Sequence, residues 1–323
     1  MRFNRLDLNQ LVVLDAILAE RSVRRAADRV FLSQPAMSNA LARLRDYFDD
    51  ELVQQIGKHL VLTPLGESLV KPVRDVLLQV QAITTTRPNF DPSTSTRRIT
   101  IEASDYVMNV FLADVLQLAW KEAPNMQFDL RLISTQSHEN LDSGEVEMLL
   151  APEFFASKNH PSEILFSDTF SCVVWNGNPE IASRLTRDKY MAMGHVAVQW
   201  GSGQLVSAEE EFMAKHGFLR RRELVAPSFT VLPRLIVGTN RIATIQTRLA
   251  NAMSEIYPMR VLPCPVPTPQ IVEMVQWHRY QERDPAITWF RGLLMRVAQS
   301  FGTTSIAASQ RSGKRKAAPP KDH

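Results

Sequence analysis

Residues 22–45 read Ser22-Val-Arg-Arg-Ala-Ala-Asp-Arg-Val30, followed by Phe31-Leu-Ser-Gln-Pro-Ala-Met-Ser-Asn-Ala-Leu-Ala-Arg-Leu-Arg45. This stretch predicts two short helices joined by a tight turn. Ser22 and Ser33 can cap the helices, and Pro35 is tolerated in a first turn, where no amide donor is needed. The apolar side of the second helix carries residues at spacings of four and three, namely Met37, Leu41 and Leu44. Its opposite side is therefore expected to face solvent.

That opposite side is typical of a helix that reads the major groove of DNA. Gln and Asn pair with adenine edges, Ser bonds either base type, and arginines can lie along phosphates. The candidate DNA-binding residues are Arg24, Arg25, Arg29, Ser33, Gln34, Pro35, Ser38, Asn39, Arg43 and Arg45. Taken alone, the pattern also fits an ordinary helical hairpin with a solvated face.

The flanking sequence favours the DNA-binding interpretation. A packing helix precedes the hairpin and is marked by Leu8, Leu11, Leu14 and Leu18. After the hairpin, residues 51–66 read as a small β-wing that turns at Gly57 and offers Lys58 as a further DNA contact. Three helices and a wing make a winged helix-turn-helix domain, which we expect over residues 1–62.

In these segments the chain resembles the LysR-type transcriptional regulators. The resemblance is carried by Asp7-Leu-Asn9, by Ser33-Gln-Pro-Ala-Met-Ser38 and by Leu62-Thr-Pro-Leu-Gly66. The family commonly has an arginine where Gln55 stands here, so a phosphate contact at this position is expected either to be weaker or to be made by Lys58 or His59. The resemblance implies double-stranded DNA, a small-molecule effector, RNA polymerase and further copies of the chain, as homodimer or homotetramer, as partners.

A long helix is expected over residues 63–86, with Thr63 as its cap and Pro64 in its first turn. Its apolar stripe consists of Leu65, Leu69, Val73, Val76, Val80 and Ile83. A stripe this regular favours pairing with a helix of another subunit, as the resemblance also implies, and packing within one domain is the alternative. Residues 87–97 are polar and contain prolines, as expected of a connection.

Residues 98–302 alternate between strand and helix patterns, which predicts α/β units with ligand sites at the carboxyl ends of parallel strands. The pattern predicts two lobes joined by two crossings, one lobe of about 98–171 with 273–302 and the other of about 172–272. The fold class is therefore an α/β effector domain of two lobes, preceded by an all-α winged helix-turn-helix domain and a long linker helix. The resemblance implies that this effector domain is periplasmic-binding-protein-like.

Four segments resemble most the branch of nodulation regulators and of regulators of naphthalene and salicylate breakdown: 194–196, 238–244, 247–250 and 275–278. The branch implies a small aromatic effector. The candidate effector residues are Ser104, Asp105, Thr135, His195, Gln199, Phe229 and Thr230. Ser104 or Asp105 fits a simple helix cap equally well, and His195 fits a structural histidine. Asp105 disfavours a bare carboxylate, so a phenolic or neutral effector suits the site better.

Enzymatic functions find no support in the sequence. It contains no Gly-x-Gly-x-x-Gly after a strand, no phosphate-binding loop and no nucleophile elbow at Gly201-Ser-Gly203. The cysteines Cys172 and Cys264 and the histidines lack metal-ligand spacing, and we expect two reduced thiols. No catalytic residue, metal or cofactor is therefore expected.

A solute-binding protein is the alternative function, because its architecture would match the second domain. That class needs an export signal, and residues 1–7 lack the apolar core of one. No run of eighteen apolar residues occurs either. A cytoplasmic protein without membrane contact is expected.

The net charge of +3 is weak evidence for DNA binding. Residues 311–323 carry a net charge of four, so the rest of the chain is close to neutral. DNA binding is therefore inferred from charge on one motif. Residues 303–323 are expected to form a disordered basic tail.

Overall fold

In the computed structural model, which describes residues 6–57, 59–85, 90–181, 184–200 and 205–314, the chain divides into two units after Arg87. The first unit contains helices, a hairpin and a long helix. In chain order they are α1 (Leu8–Glu20), α2 (Val23–Arg29), α3 (Gln34–Phe48), β1 (Val53–Ile56), β2 (His59–Leu62) and α4 (Pro64–Thr85). The three helices and the wing are those that the sequence predicts.

The predicted caps and the predicted turn are confirmed. The Ser22 hydroxyl accepts a hydrogen bond from the Arg25 amide at 3.4 Å, and the Ser33 hydroxyl accepts one from the Ala36 amide at 3.3 Å. The wing turns at Gly57, whose φ of +62° is a conformation that glycine adopts without strain. Local chemistry therefore determines where these elements begin and turn.

The apolar side of α3 is buried in the core of the first unit. Met37, Leu41 and Leu44 are all buried there, together with side chains of α1 such as Leu14 and Ile17. Burying a side chain of this size stabilises a fold by about 1.5–3 kcal/mol. This burial fixes the rotation of α3 about its own axis.

The expectation that Arg45 faces solvent is wrong. Its Nε donates to the carbonyl oxygen of Glu51 and its Nη2 to that of Val53, both at 2.9 Å, and Nε also lies 2.9 Å from the Glu51 carboxylate. The chain reverses after α3 and brings these carbonyl oxygens within reach. Arg45 thus holds the wing against the end of α3. Arg29 is likewise half-buried and ion-paired, with Asp15 and Glu20.

The apolar stripe of α4 divides into two parts. Leu65, Leu69 and Val73 pack into the core of the first unit, so packing within one domain holds for this half. An ion pair between Arg74 and Asp15, 2.7 Å long and largely buried, also joins α4 to α1. Further along, Ile83 is 74% exposed. Pairing between subunits remains a prediction for that second half.

The second unit alternates strands and helices. Its first elements are β3 (Arg98–Ala103), α5 (Asp105–Val107), a π-helical turn (Met108–Leu112), α6 (Ala113–Glu122), β4 (Gln127–Leu132), α7 (Ser137–Asp142), β5 (Met148–Pro152) and β6 (Ser162–Asp168). There follow β7 (Phe170–Trp175), α8 (Arg187–Ala192), β8 (Gly194–Trp200), β9 (Leu205–Val206), α9 (Ala208–Lys215), β10 (Arg221–Ala226) and α10 (Leu232–Ile236). The last elements are β11 (Ile242–Gln246), α11 (Thr247–Ile256), β12 (Met259–Pro263), β13 (Ile271–Trp277) and α12 (Pro285–Lys314).

These strands form two sheets, one for each lobe. The lobe I sheet has the order β4-β3-β5-β13-β6, in which β3, β4 and β5 are parallel. The lobe II sheet has the order β10-β8-β11-β7-β12, in which β8, β10 and β11 are parallel, and β9 pairs with β8. The chain crosses between the lobes twice, from β6 to β7 and from β12 to β13.

The lobe boundaries differ slightly from the predicted ones. The first crossing lies at Thr169, because β7 already pairs within lobe II from Phe170 onward. The second precedes Ile271, which pairs with Asp168 in lobe I. Helix α12 continues to Lys314 and so extends into the segment from 303 onward, where disorder was predicted. The part of the expected tail from 315 to 323 lies outside the described residues.

Gly66 occupies a position that has no room for a side chain. A Cβ atom there would lie 2.3 Å from the carbonyl oxygen of Leu52. That carbonyl oxygen accepts a hydrogen bond from the Thr63 amide at 3.0 Å, and the Thr63 hydroxyl accepts one from the Gly66 amide at 3.0 Å. The start of α4 therefore packs directly on the backbone that leads into the wing.

Replacing Gly66 with alanine should destabilise the first unit by about 1–3 kcal/mol, because the backbone must move to admit one methyl group. Gly292→Ala is the matched control, since Gly292 is exposed within α12 with open space around it. The control should stabilise the protein by about 0.5–1 kcal/mol. Chemical unfolding measures both changes, and equal stabilisation by the two substitutions would contradict the close approach at Gly66.

Candidate DNA interface and effector cleft

The outward side of α3 presents polar groups to solvent. Gln34, Pro35, Ser38, Asn39 and Arg43 are all exposed along it. Ser33 is exposed too, although its hydroxyl is engaged as the cap of the helix. An exposed side with amide and hydroxyl groups over an apolar underside is the arrangement that fits a helix into the major groove.

The predicted phosphate-contacting arginines differ in their surroundings. Arg24 and Arg43 are exposed, and neither takes part in an ion pair among the described residues. Arg25 is exposed and pairs with Glu20, with Nε and Oε2 3.3 Å apart. Lys58 lies outside the described residues. Gln55, on the wing, donates to the carbonyl oxygen of Gly57 at 3.1 Å and so supports the turn.

The carboxyl ends of the parallel strands define the edge of each lobe at which a ligand would bind. In lobe I these ends are Ala103, Leu132 and Pro152. In lobe II they are Trp200, Ala226 and Gln246. Residues that follow these strands are therefore the structural candidates for an effector cleft.

Four of the predicted effector residues meet at this place. The backbone amide of Thr230, in lobe II, donates to Asp105 Oδ2, in lobe I, at 2.8 Å. Phe229 is buried and packs edge-on against the ring of Tyr106, with centroids 6.4 Å apart. Ser104 is buried and accepts from the Val107 amide at 3.2 Å, so it is a helix cap. Direct contacts between the lobes thus surround this point.

Asp168 connects the same region to the crossing between the lobes. The Tyr106 hydroxyl donates to Asp168 Oδ2 at 2.8 Å, and the backbone amides of Thr169 and Arg248 donate to Oδ1 at 2.8 Å and Oδ2 at 3.1 Å. Burial raises the pKa of Asp168, and these hydrogen bonds oppose that rise. Neither Tyr106 nor Asp168 is among the residues predicted from the sequence, although the segment from Thr247 onward is.

Three buried side-chain oxygen atoms at this edge have no hydrogen-bond partner among the described residues: Asp105 Oδ1, Gln246 Oε1 and Glu273 Oε2. Glu273 pairs with Pro152, the last residue of β5, and is almost completely buried. Burial, and secondarily the nearby Asp168 carboxylate, raises the pKa of Glu273 to about 8. At neutral pH the Glu273 side chain is therefore mainly a neutral acid.

The other predicted effector residues do not join this cluster. His195 lies beside Ile242, the first residue of β11, and so about 13 Å from the carboxyl edge at ~3.3 Å per residue. Its Nε2 lies 2.7 Å from the carbonyl oxygen of Tyr190, and burial lowers its pKa to about 4. It is the structural histidine of the alternative interpretation.

Thr135 is exposed beyond β4, the edge strand of the lobe I sheet, which places it away from the crossings. Gln199 is half-buried near the carboxyl end of β8, where its backbone pairs with Val206. Gln199 therefore lies at the carboxyl edge, where a ligand would bind. Thr135 lies outside the cluster formed by Ser104, Asp105, Phe229 and Thr230, because its strand, β4, is farthest from β13 and β6 in the sheet.

The cysteines lie together in lobe II. Cys172 is buried, and burial raises the pKa of its thiol. A hydrogen bond from Cys172, with help from the Val266 amide, lowers the pKa of the half-buried Cys264 to about 7. Both are free thiols, and over the described part of the chain no group of three or more His, Cys, Asp or Glu residues could hold a metal ion.

None of the helices in the described ranges is both long enough and apolar enough to cross a bilayer.

Both units match known protein families. Residues 8–67 match the family described as bacterial regulatory helix-turn-helix protein, lysR family, and residues 93–299 match the LysR substrate binding domain. A solute-binding protein, the alternative function, would not include the first of these domains. The match therefore supports a regulator.

The relatives and solved structures agree with this result. The chain is 43% identical over 298 residues to nodulation protein D 1 of Mesorhizobium japonicum, covering 92% of this chain and 95% of the relative. It is 42% identical over 305 residues to nodulation protein D 1 of Rhizobium tropici, covering 94% and 99%.

Among solved structures, a probable transcriptional regulator from Pseudomonas aeruginosa superposes with a TM-score of 0.61 at 28% identity, covering 90% of this chain and 96% of that one. Full-length CbnR complexed with its target DNA superposes with a TM-score of 0.57, covering 90% and 100%. At 14% identity, CbnR supports the fold alone. With a DNA-binding domain and an effector-binding domain matched in this order, the chain belongs to the LysR family of transcriptional regulators.

Proposed function

We propose that this regulator reads its operator with the exposed side of α3 and is switched by a neutral, phenolic aromatic effector bound between lobes I and II. The DNA half of the proposal rests on the exposed groups of Gln34, Ser38 and Asn39 over the buried side of α3. The effector half rests on unpartnered buried acceptors at the cleft edge. These are the observations that carry the two halves.

For DNA, the exposed amides of Gln34 and Asn39 suit adenine, and Ser38 suits either base type. Arg24 and Arg43 would lie along phosphates and set the register. The exposed side chains of Val76 and Ile83 on α4 would pair with the same helix of another subunit. A twofold dimer then needs half-sites about one helical turn apart, roughly 34 Å.

For the effector, Asp105 Oδ1 and Gln246 Oε1 are unpartnered acceptors at the cleft edge, and a buried acceptor without a partner is costly. A ligand that donates hydrogen bonds would satisfy Asp105 Oδ1 and Gln246 Oε1. A carboxylate ligand would meet the charges of Asp105 and Asp168 and be repelled. Phenolic hydroxyl groups meet both requirements, and the resemblance to the branch of nodulation regulators also implies an aromatic effector.

The remaining parts of the proposal follow from this role. The protein would act in the cytoplasm without catalytic activity, and its DNA-bound form would contact RNA polymerase. Effector binding between lobes that share the Thr230–Asp105 hydrogen bond would change the angle between them. A coupling of about 1–3 kcal/mol between effector and DNA is sufficient for a switch.

Ser38→Ala and Asn39→Ala should each abolish most of the preference for the operator over random DNA, by about tenfold or more, because each removes a base-reading group worth about 1–3 kcal/mol. The matched control is Arg43→Ala, which should weaken binding to both duplexes equally and reduce the salt slope by about one. Competition gel shifts with a duplex selected by the wild-type chain measure both effects. Unchanged preference in the Ser38 and Asn39 variants would refute base reading by α3.

Asp105→Asn should weaken binding of a neutral flavonoid by about tenfold, since an acceptor oxygen for its hydroxyl group is replaced by an amide. The same change should allow salicylate to bind, because it removes a repelling charge. Ligand-induced shifts of the melting temperature of the full chain report both results. Asp129→Asn, at an exposed carboxylate on β4, should change neither shift. A wild-type protein that salicylate stabilises and flavonoids do not would contradict the proposed effector class.

Glu273→Gln should remove part of the pH dependence of stability. The folded pKa of Glu273, about 8, lies above its ordinary value of 4.5, so the folded state binds the extra proton between these values. The stability from this group is complete below pH 4.5 and declines as pH rises to 8, with a slope of up to about 1.4 kcal/mol per pH unit. Glutamine has the shape of the neutral acid and does not titrate. Chemical unfolding at pH 5 and pH 8 should therefore show that the wild type loses more stability over this range than the variant does. Equal losses of stability in the two proteins would show that Glu273 is not a protonated buried acid.

A further inference from the structure

The turn between α2 and α3 carries an aromatic residue in an unfavourable position. Phe31 is 95% exposed, and its φ of +57° lies in the left-handed region. It follows α2 at the point where the helix closes, since the Leu32 amide donates to the carbonyl oxygen of Ala27 at 2.9 Å. Glycine or asparagine normally fills such a position, because a bulky side chain is strained there.

Among the residues that the structure describes in the first unit, no packing contact of the Phe31 ring offsets this strain. The buried core and the side chains packed against it do not include Phe31, and no ring contact among the described residues involves it. A large apolar ring is thus held in water by a backbone that disfavours it. Strain of this kind concentrates at functional sites, which indicates that the Phe31 ring has a partner outside the unit.

The position of Phe31 identifies that partner. Phe31 lies two residues before Ser33, the cap of α3, and the exposed side of α3 begins at Gln34. In helix-turn-helix domains the first residues of the second helix enter the major groove. Phe31, together with the partly exposed Leu32, therefore adjoins the surface through which this family binds DNA.

We propose that Phe31 is a DNA-contacting residue whose ring packs on apolar atoms of the operator at the edge of the major groove. Those atoms are thymine methyl groups, which phenylalanine contacts in other complexes, or the carbons of deoxyribose. The inference rests on the proposed reading of DNA by α3. Such a contact displaces no counterions, so it adds affinity without changing the salt slope.

The test uses the full chain, a duplex selected by the wild-type protein from a random pool, and the variants Phe31→Gly, Phe31→Asn and Phe31→Leu. Glycine and asparagine relieve the backbone strain, so both variants should melt about 4 °C higher. Both should nevertheless bind the duplex about tenfold more weakly, with an unchanged salt slope. Phe31→Leu keeps an apolar side chain and the strain, and should retain the wild-type melting temperature and most of the affinity.

A duplex with uracil in place of thymine separates the two kinds of contact. If the Phe31 ring contacts methyl groups, the wild type binds the uracil duplex more weakly than the thymine duplex, whereas the affinity of Phe31→Gly is the same for both. If it meets deoxyribose, the uracil duplex leaves the difference between the two proteins intact. Both results support the proposal.

Two results would overturn it. If Phe31→Gly and Phe31→Asn bind the selected duplex with an affinity within twofold of the wild type, the ring has another partner, such as a second protein. Variants that melt at a lower temperature would show that the ring packs within the unit. If Ser38→Ala still loses operator preference in either case, the reading of DNA by α3 stands and only the role of Phe31 fails.

Discussion

The burial of one side of α3 is the constraint on which the DNA-binding surface depends. Met37, Leu41 and Leu44 are locked into the core, and a helix has only one rotation that buries all three. That rotation decides that Ser38 and Asn39 face outward. Arg45 and the packing at Gly66 then hold the wing beside the same helix. The interface is therefore a consequence of how the core packs.

The effector domain obeys a different constraint, which is the crossing of the chain between its lobes. Asp168 ends β6 at the first crossing, and its partners come from lobe I, through Tyr106, and from lobe II, through the Arg248 amide. Glu273 follows two residues after Ile271, the residue that pairs with Asp168. Two carboxyl groups so close together favour a proton on one of them. A ligand that alters the hydrogen bonds or the protonation of Asp168 and Glu273 therefore acts on both lobes at once.

How far the sequence predicts this structure depends on the distance between interacting residues. The caps at Ser22 and Ser33 and the buried side of α3 follow from spacings of three or four residues, and they are confirmed. Arg45 could not be placed, because its carbonyl partners come within reach only through the reversal after α3. The same holds for the effector cleft, where Asp105, Gln246 and Glu273 belong to three distant segments. His195 stands at the start of β8, and the rule that ligands bind at the carboxyl ends of parallel strands already argued against it.

The charges of the first unit bear on how a near-neutral protein can bind DNA selectively. Arg25, Arg29, Arg45 and Arg74 pair with carboxylates of the same unit, which neutralises much of their attraction for phosphates. Phosphate neutralisation supplies most nonspecific affinity, so each arginine held in an internal ion pair contributes less to the binding of random DNA. Short-range contacts with bases then account for a larger share of the binding free energy. Internal ion pairs thereby lower the affinity that every sequence shares, and they leave unchanged the difference in binding free energy between the operator and random DNA.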